Sequence, residues 1–168
     1  MARYRCKCSA AVLLLIRMML MNNLKDKIES FLLKVQRPSR YIGGEQGSIV
    51  KDPHKTDVSF AFCFPDSYEI GMSHLGIKIL YSLINSRENF RCERVFAPWM
   101  DFEEIMREND IPLYSLENLE PIKNFDFIGF TLQYELCYTN IPNMLDLAGV
   151  PIFAEDRGEK LSPIVIGG

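Results

Sequence analysis

The sequence predicts an α/β domain with a Rossmann-like, doubly wound and mostly parallel sheet. Apolar, strand-like runs alternate along the chain with segments of helical periodicity, which is the pattern of βαβ units. The run Val58–Phe64 (VSFAFCF) is apolar at nearly every position, as is typical of a strand buried on both faces. Of the 168 residues, 48% are hydrophobic and 24% are charged, which is enough for the core of one such domain.

Two segments precede the predicted domain. Residues 1–21 form an extension outside the fold; because its apolar run is interrupted by Arg17 and no small-residue cleavage site follows, a signal peptide is disfavoured. The run is also too short to span a membrane, and the methionines close behind it favour a start codon assigned too early. Residues 22–57 hold an amphipathic helix over 23–35 and a Gly-rich connector over 40–47.

The predicted domain itself covers residues 58–168. Its first strand, 58–64, is followed by a loop over 65–71 and then by a helix. Ser73 is the expected cap of this helix, and Gly76 is the expected point of close approach between the helix and the sheet. The apolar face of the helix is expected at Met72, Leu75, Ile79, Leu80 and Leu83.

The second half of the domain continues the alternation. A strand over 91–96 precedes a helix for which Asp101 and Glu104 form a capping box. A later helix starts at Thr139 or the next residue and is closed by Gly149. Further strands are expected at 111–116, 125–132, 150–154 and 163–166.

Charge is distributed unevenly along the chain. Residues 1–55 carry a net charge of +7 and the remainder −10, which gives −3 overall. A basic arm before an acidic domain suits contact with RNA or an acidic partner, although a solvated arm explains the same charges. The five cysteines form neither a disulfide framework nor a C-x-x-C pair, which indicates a reducing compartment and a cytoplasmic protein.

Binding is expected where the parallel strands end. In an open parallel sheet, ligands bind outside the carboxyl ends of the strands, which selects the loops 65–71 and 131–138 and the turn Gly167-Gly168. The first strand is followed by PDSYEIG rather than by G-x-G-x-x-G, so a dinucleotide site is disfavoured. Tyr134 in the second loop could stack on a planar ligand or staple the loop.

No complete catalytic centre is visible in the sequence. His74 is expected to cap a helix or to face solvent, and no His, Cys, Asp and Glu cluster has metal-ligand spacing. A stand-alone enzyme is therefore the weakest interpretation. The chain also stops at Gly167-Gly168, where a doubly wound sheet normally continues with a helix, so the sequence predicts a fold truncated at its C-terminus.

The N-terminal part of the B12-binding-domain-containing radical SAM proteins resembles this chain in the stretches LLKVQRPSRYIGGE, FCFPDSYEIGMSHLGIKILY, FDFIGFTLQYELCYTN and IVIGG. The resemblance implies a Rossmann-like cobalamin-binding domain followed by a radical SAM barrel. Such a barrel holds S-adenosylmethionine and a 4Fe-4S cluster on a C-x-x-x-C-x-x-C motif. That motif does not occur in the 168 residues, so the resemblance assigns both groups to a C-terminal partner domain.

The resemblance also implies a set of cofactor-binding residues. One loop would face the corrin ring of cobalamin, while a second loop and the Gly-Gly turn would line its nucleotide tail. The implied residues are Pro65, Asp66, Ser67, Tyr68, Thr131, Leu132, Gln133, Tyr134, Gly167 and Gly168. The cobalt-ligating histidine motif is missing, so cobalamin would bind without a protein histidine ligand. The alternative function is a non-catalytic module that docks RNA, a substrate or another protein.

Overall fold

The structure, a computed structural model, describes residues 24–158 and 163–168, so the extension predicted over 1–21 lies outside the described residues. The strands are β1 (Val58–Phe64), β2 (Phe90–Phe96), β3 (Phe127–Phe130) and β4 (Ile164–Gly167). All pair in parallel in the order β2-β1-β3-β4, which confirms the predicted α/β fold with a doubly wound, parallel sheet. The helices are α1 (residues 24–31), α2 (Tyr68–Ser73), α3 (Leu75–Asn85), α4 (Met100–Glu108) and α5 (Asn140–Ala148).

Helices cover both faces of the sheet because consecutive side chains of a strand point to opposite faces. Ala61 of β1 belongs to the core cluster that contains Met106 of α4 and Met144 of α5. Its neighbour Phe62 belongs to a second cluster with Ile77 of α3. The helix after β1 and the helix after β3 therefore lie on opposite faces, and the switch in strand order falls between β1 and β3.

Several predicted elements are confirmed. The strands predicted for β1, β2 and β4 agree with the structure to within a residue at each end. The first helix runs over 24–31 and continues as a 3-10 turn at Leu32–Lys34, while α5 ends as predicted at Gly149 with φ 66°. The strand predicted over 125–132 is shorter, since only Phe127–Phe130 joins the ladder. Within the described ranges, no helix has the length and apolar character needed to cross a membrane.

The segment between β1 and α3 differs from the prediction. The loop predicted over 65–71 is shorter because α2 already begins at Tyr68. The cap of α3 is His74, whose Nδ1 accepts a hydrogen bond from the amide of Ile77 at 3.4 Å, and not Ser73, whose hydroxyl donates to the carbonyl of Ile70. The expectation that His74 caps a helix is therefore confirmed, and the prediction that Ser73 caps α3 is wrong.

The close approach between helix and sheet that was predicted at Gly76 occurs at another glycine. A β-carbon on Gly76 would lie 2.9 Å from the His74 ring, so this glycine makes room for the capping imidazole. The close approach to the sheet occurs instead at Gly71, where a β-carbon would lie 2.2 Å from the Phe96 ring. The prediction for Gly76 was therefore wrong, because the glycine that lies against a β2 side chain is Gly71 in α2.

The buried face of α3 also differs from the predicted one. Asn85 exchanges two hydrogen bonds with the backbone of Cys92 in β2, at 2.9 and 3.0 Å, and this pairing fixes the rotation of the helix. Ile77 and Tyr81 are consequently buried, together with Asn85. The predicted apolar residues Leu75, Ile79, Leu80 and Leu83 are exposed.

The capping box predicted for α4 is absent. The residue before the helix is Trp99, and no side chain accepts a hydrogen bond from the first turn as a cap. Asp101 instead accepts one bond from the amide of Phe102 and another from the amide of Gln36, both at 2.8 Å. Its carboxylate fastens the N-terminal segment to α4, and Glu104 is exposed to solvent.

The strand predicted over 111–116 does not form. The amide of Leu113 donates to the carbonyl of Leu147 at 3.0 Å, while the amide of Leu116 donates to the carbonyl of Arg94 at 3.0 Å. The segment therefore spans from the end of α5 to the edge of β2 and covers that edge. Tyr114 in this segment forms an isolated antiparallel bridge with Pro121.

The strand predicted over 150–154 is also wrong. Arg157 donates hydrogen bonds to the carbonyls of Pro151 and Ile152 at 2.8 and 2.7 Å. These bonds occupy acceptors that a sheet ladder would need, and the chain turns into the 3-10 helix Ala154–Arg157. A short apolar run was therefore read as a strand although a local arginine satisfies its backbone.

A half-buried lysine, Lys51, joins the N-terminal segment to the sheet. The ammonium of Lys51 donates to the carbonyls of Asn85, Arg87 and Phe90 at 2.8, 2.6 and 2.5 Å, which uses all three of its donors at the end of α3. We expect Lys51→Met to lower the free energy of unfolding by about 2–3 kcal/mol in a urea titration. The control Lys55→Met, at an exposed residue whose ammonium lies 3.9 Å from the carboxylate of Asp52, is expected to cost less than about 0.5 kcal/mol. Equal losses would contradict this role of Lys51.

Candidate functional site

The carboxyl ends of β1, β3 and β4 meet at one edge of the sheet. The amide of Thr131 donates to the carbonyl of Cys63 at 3.2 Å, which joins the end of β3 to the end of β1. The amide of Leu132 donates to the carbonyl of Gly168 at 2.9 Å, and the amide of Gly168 donates to Phe130 at 3.1 Å. The loops selected from the sequence are therefore neighbours in space, next to the switch in strand order.

The loop after β1 is held from both sides. The carboxylate of Asp66 accepts a hydrogen bond from the amide of Ser67 at 2.6 Å, and the carbonyl of Asp66 accepts one from Ala97 at 3.1 Å. The carbonyl of Pro65 accepts a bond from the side-chain amide of Asn140 at 2.8 Å. Pro65, Asp66 and Ser67 thus form a fixed rim of the edge, anchored to the β2 loop and to α5.

A tyrosine and an aspartate connect the two loops across the edge. The phenol of Tyr134 donates a hydrogen bond to the second carboxylate oxygen of Asp66. This hydrogen bond, together with slight burial and the charge of Asp66, raises the pKa of the Tyr134 phenol. The Tyr134 side chain is 40% exposed, so the contact lies at the mouth of the site rather than in the core. Gln133, beside it, is exposed and faces solvent.

Thr131, like Pro65, is a deeply buried member of the predicted site, with 6% of its surface exposed. Its hydroxyl has no hydrogen-bond partner among the described residues. A buried hydroxyl without a partner costs about 1–3 kcal/mol, so such groups call for a functional explanation. Nearby, Gly168 has open space at its β-position, whereas a β-carbon on Gly167 would lie 3.2 Å from the side chain of Leu132.

Tyr68 is not brought together with the other predicted residues. Its ring packs edge-on against Phe96 of β2 with 5.5 Å between centroids. Burial, followed by the nearby Glu45 carboxylate, raises the pKa of the Tyr68 phenol to about 12. The cavity beside it, lined in part by Trp99, has a volume of about 20 Å³, which fits one water molecule and no ring system.

An ion cluster beside the site was missed by the sequence reasoning. Arg37 and Arg40 both reach the same carboxylate oxygen of Glu69 at 2.8 Å, and the guanidinium of Arg40 lies 5.0 Å from the centre of the Trp99 ring. Desolvation opposes ionisation of Glu69, but the hydrogen bonds from Arg40 and Arg37 lower its pKa to about 2. The cluster joins the connector to α2. Its members, Arg37, Arg40 and Glu69, lie about thirty residues apart in the chain, so no local sequence pattern predicts their contact.

The described residues offer no metal centre. No group of three or more His, Cys, Asp or Glu side chains in this part of the chain could hold a metal ion. Cys63, Cys92 and Cys137 are buried free thiols, and burial raises the pKa of the Cys63 and Cys92 thiols. Cys6 and Cys8 lie outside the described residues. What the edge offers instead is a fixed loop and a buried hydroxyl without a partner among the described residues, which suit an organic ligand.

Comparison with known proteins gives one match. A family model described as the N-terminal region of radical SAM proteins matches residues 76–168, slightly more than half of the chain. The matched range begins in α3 and includes Thr131, Tyr134 and the Gly167-Gly168 turn, whereas the loop after β1 precedes it. No curated protein and no solved structure matches the chain.

Proposed function

The chain belongs to the radical SAM proteins, whose N-terminal region it represents, and we propose that this region is a cofactor-binding module of cobalamin type. The family implies S-adenosylmethionine and a 4Fe-4S cluster in the full protein, outside this chain. In the proposal Pro65, Asp66 and Ser67 face the corrin, while Thr131 and Gly168 line the nucleotide tail. Bound cobalamin supplies a cobalt centre that can accept and donate a methyl group.

The buried hydroxyl of Thr131 is the observation that carries this proposal. It lies where the strand order switches and lacks a partner among the described residues. Ile166 is in register with Gly129, two residues before Thr131, so its half-exposed side chain lies on the same face of the sheet. An apolar surface with one hydroxyl at its end suits a planar ring that carries an acceptor nitrogen.

Histidine ligation of cobalt is not part of the proposal. The Nδ1 atom of His74 caps α3, and the ring lies 5.6 Å from that of Phe64. His54 occupies a 3-10 turn that precedes the amino end of β1, at the opposite edge from the site. The module would therefore hold the corrin through its loops and its nucleotide tail alone.

Gel filtration of the intact radical SAM protein after incubation with hydroxocobalamin tests the proposal. We expect corrin absorbance to elute with the protein at close to one equivalent per chain. A folded protein that retains no corrin would refute cobalamin binding.

Replacement of Thr131 by valine separates binding from stability. We expect Thr131→Val to weaken hydroxocobalamin binding about tenfold, since one hydrogen bond to the ligand is lost. The ligand-free protein should keep its stability or gain about 1 kcal/mol, because valine removes an unsatisfied buried hydroxyl at nearly constant volume. Equilibrium dialysis and urea unfolding give the two values.

The matched control is Thr56→Val, which alters a threonine before the amino end of β1 and should leave corrin binding unchanged. A destabilised Thr131→Val variant with unaltered binding would show that the hydroxyl serves the fold instead.

RNA docking by the basic arm is the alternative function, and the described part of the arm gives it little support. Arg37 and Arg40 pair with Glu69, and Lys25 lies 3.8 Å from Glu29. The ammonium of Lys51 donates its hydrogen bonds to backbone carbonyls. These cations are directed at the chain itself, whereas a nucleic-acid surface presents them to phosphates. The pairing counts against RNA docking by this part of the arm.

A further inference from the structure

The crevice between β1 and β3 is bridged by side chains at its mouth. Ligands of doubly wound sheets enter where the strand order switches, which here is the gap between the loop after β1 and the loop after β3. The Tyr134 phenol and the Asp66 carboxylate meet across this gap. Thr131, whose buried hydroxyl has no partner among the described residues, lies three residues before Tyr134, at the end of β3. The bridge therefore joins the two walls between which a ligand would enter.

The Asp66 carboxylate and the Tyr134 side chain differ in how many contacts hold them in place. Asp66 is fixed, because its other carboxylate oxygen accepts the Ser67 amide and its carbonyl accepts the Ala97 amide. The backbone of Tyr134 is also fixed, since its carbonyl accepts bonds from the amide and the thiol of Cys137 at 3.2 and 2.9 Å. The Tyr134 side chain itself is exposed and is held at its tip by Asp66. A change of rotamer alone would free the gap, and exposed rotamers interconvert rapidly.

We propose that the Tyr134–Asp66 pair is a latch, which closes the crevice in the ligand-free protein and is released when a ligand enters. The proposal rests on the proposed function, because it concerns access to the same site. Closing the gap shields the Thr131 hydroxyl, which is buried in this closed arrangement, from outside molecules. Because only molecules with an open gap can bind, the apparent Kd for the ligand equals the intrinsic Kd divided by the open fraction.

The latch has a ligand-free test that needs no variant. Tyr134 and Tyr138 lie in the same loop and are 40% and 43% exposed, but among the described residues a hydrogen-bond partner is found for the Tyr134 phenol alone. We expect N-acetylimidazole to acetylate Tyr134 about fivefold more slowly than Tyr138 in the intact protein, as measured by peptide mass spectrometry. Asp66→Ala should raise the Tyr134 rate to that of Tyr138. Equal rates in the unaltered protein would overturn the latch.

Binding of hydroxocobalamin supplies the second test. Tyr134→Phe should bind the corrin about fivefold more tightly than the unaltered protein, because the closed state loses its hydrogen bond. The control Tyr138→Phe should bind as the unaltered protein does. Weaker binding by Tyr134→Phe would overturn the latch, since it would make the phenol a ligand contact. If no protein binds corrin while Tyr134 is acetylated slowly, the proposed cofactor is wrong and the latch is retained.

Discussion

Replacement of Arg91 by methionine is expected to lower the free energy of unfolding by about 3–5 kcal/mol, because it leaves two buried carboxylates without their cation. The guanidinium pairs with Glu93 and lies 2.7 Å from the carboxylate of Glu120. The three side chains are exposed by 4%, 2% and 0%, so water cannot replace the lost partner. Urea unfolding followed by the fluorescence of the single tryptophan, Trp99, measures the loss.

The control for this variant is Arg107→Met. Arg107 also bridges two carboxylates, Glu103 at 3.1 Å and Asp146 at 2.8 Å, but its side chain is 44% exposed. Solvent screening limits the expected loss there to less than about 1 kcal/mol. Similar losses in the two variants would contradict the account of the buried cluster.

Neutralising the carboxylates should recover part of the loss at Arg91. The triple variant Arg91→Met, Glu93→Gln, Glu120→Gln removes the uncompensated charge while it preserves side-chain size. We expect it to be more stable than Arg91→Met alone. A triple variant that is less stable than the single one would mean that hydrogen bonds, and not charge, dominate this cluster.

Gly43→Ala is expected to be the second strongly destabilising change. Gly43 has φ +66°, and a β-carbon there would lie 2.1 Å from the carbonyl oxygen of Leu116. Because the obstacle is backbone in the segment that covers β2, no side-chain rotation relieves the overlap. We expect a loss of about 3 kcal/mol or more in the free energy of unfolding, from steric overlap added to left-handed strain.

Gly44→Ala is the control because it isolates the strain from the overlap. Gly44 also has positive φ, +82°, but nothing lies within 4 Å of its β-position. The expected loss is about 1 kcal/mol, the cost of a left-handed alanine. Equal losses in the two variants would contradict the close packing of Gly43 against the carbonyl of Leu116.

The elements with clear local signals were predictable from the sequence. The strand β1 is apolar at every position but Ser59, and α5 ends at a glycine that adopts the left-handed conformation. The rotation of α3 was not predictable, because Asn85 is buried by two hydrogen bonds to Cys92 while leucines remain exposed. Hydrophobic periodicity cannot find a face that is set by a polar contact between two elements.

The candidate site was predictable in place but not in detail. The rule that ligands bind at the carboxyl ends of parallel strands selected the loops after β1 and β3, and these loops are neighbours in the structure. Neither the Tyr134–Asp66 latch nor the unpartnered hydroxyl of Thr131 has a sequence signal. Both depend on which side chains the folded edge brings together, and for Tyr68 the same rule selected a ring that packs toward β2.

Hydrogen exchange of the intact protein with and without hydroxocobalamin tests the central claim most directly. Binding at the carboxyl edge should slow amide exchange in residues 66–67 and 131–134, while residues 105–110 at the end of α4 exchange as before. Retained corrin without protection of these two loops would contradict the proposed site. A folded protein that retains no corrin would contradict the proposed function itself.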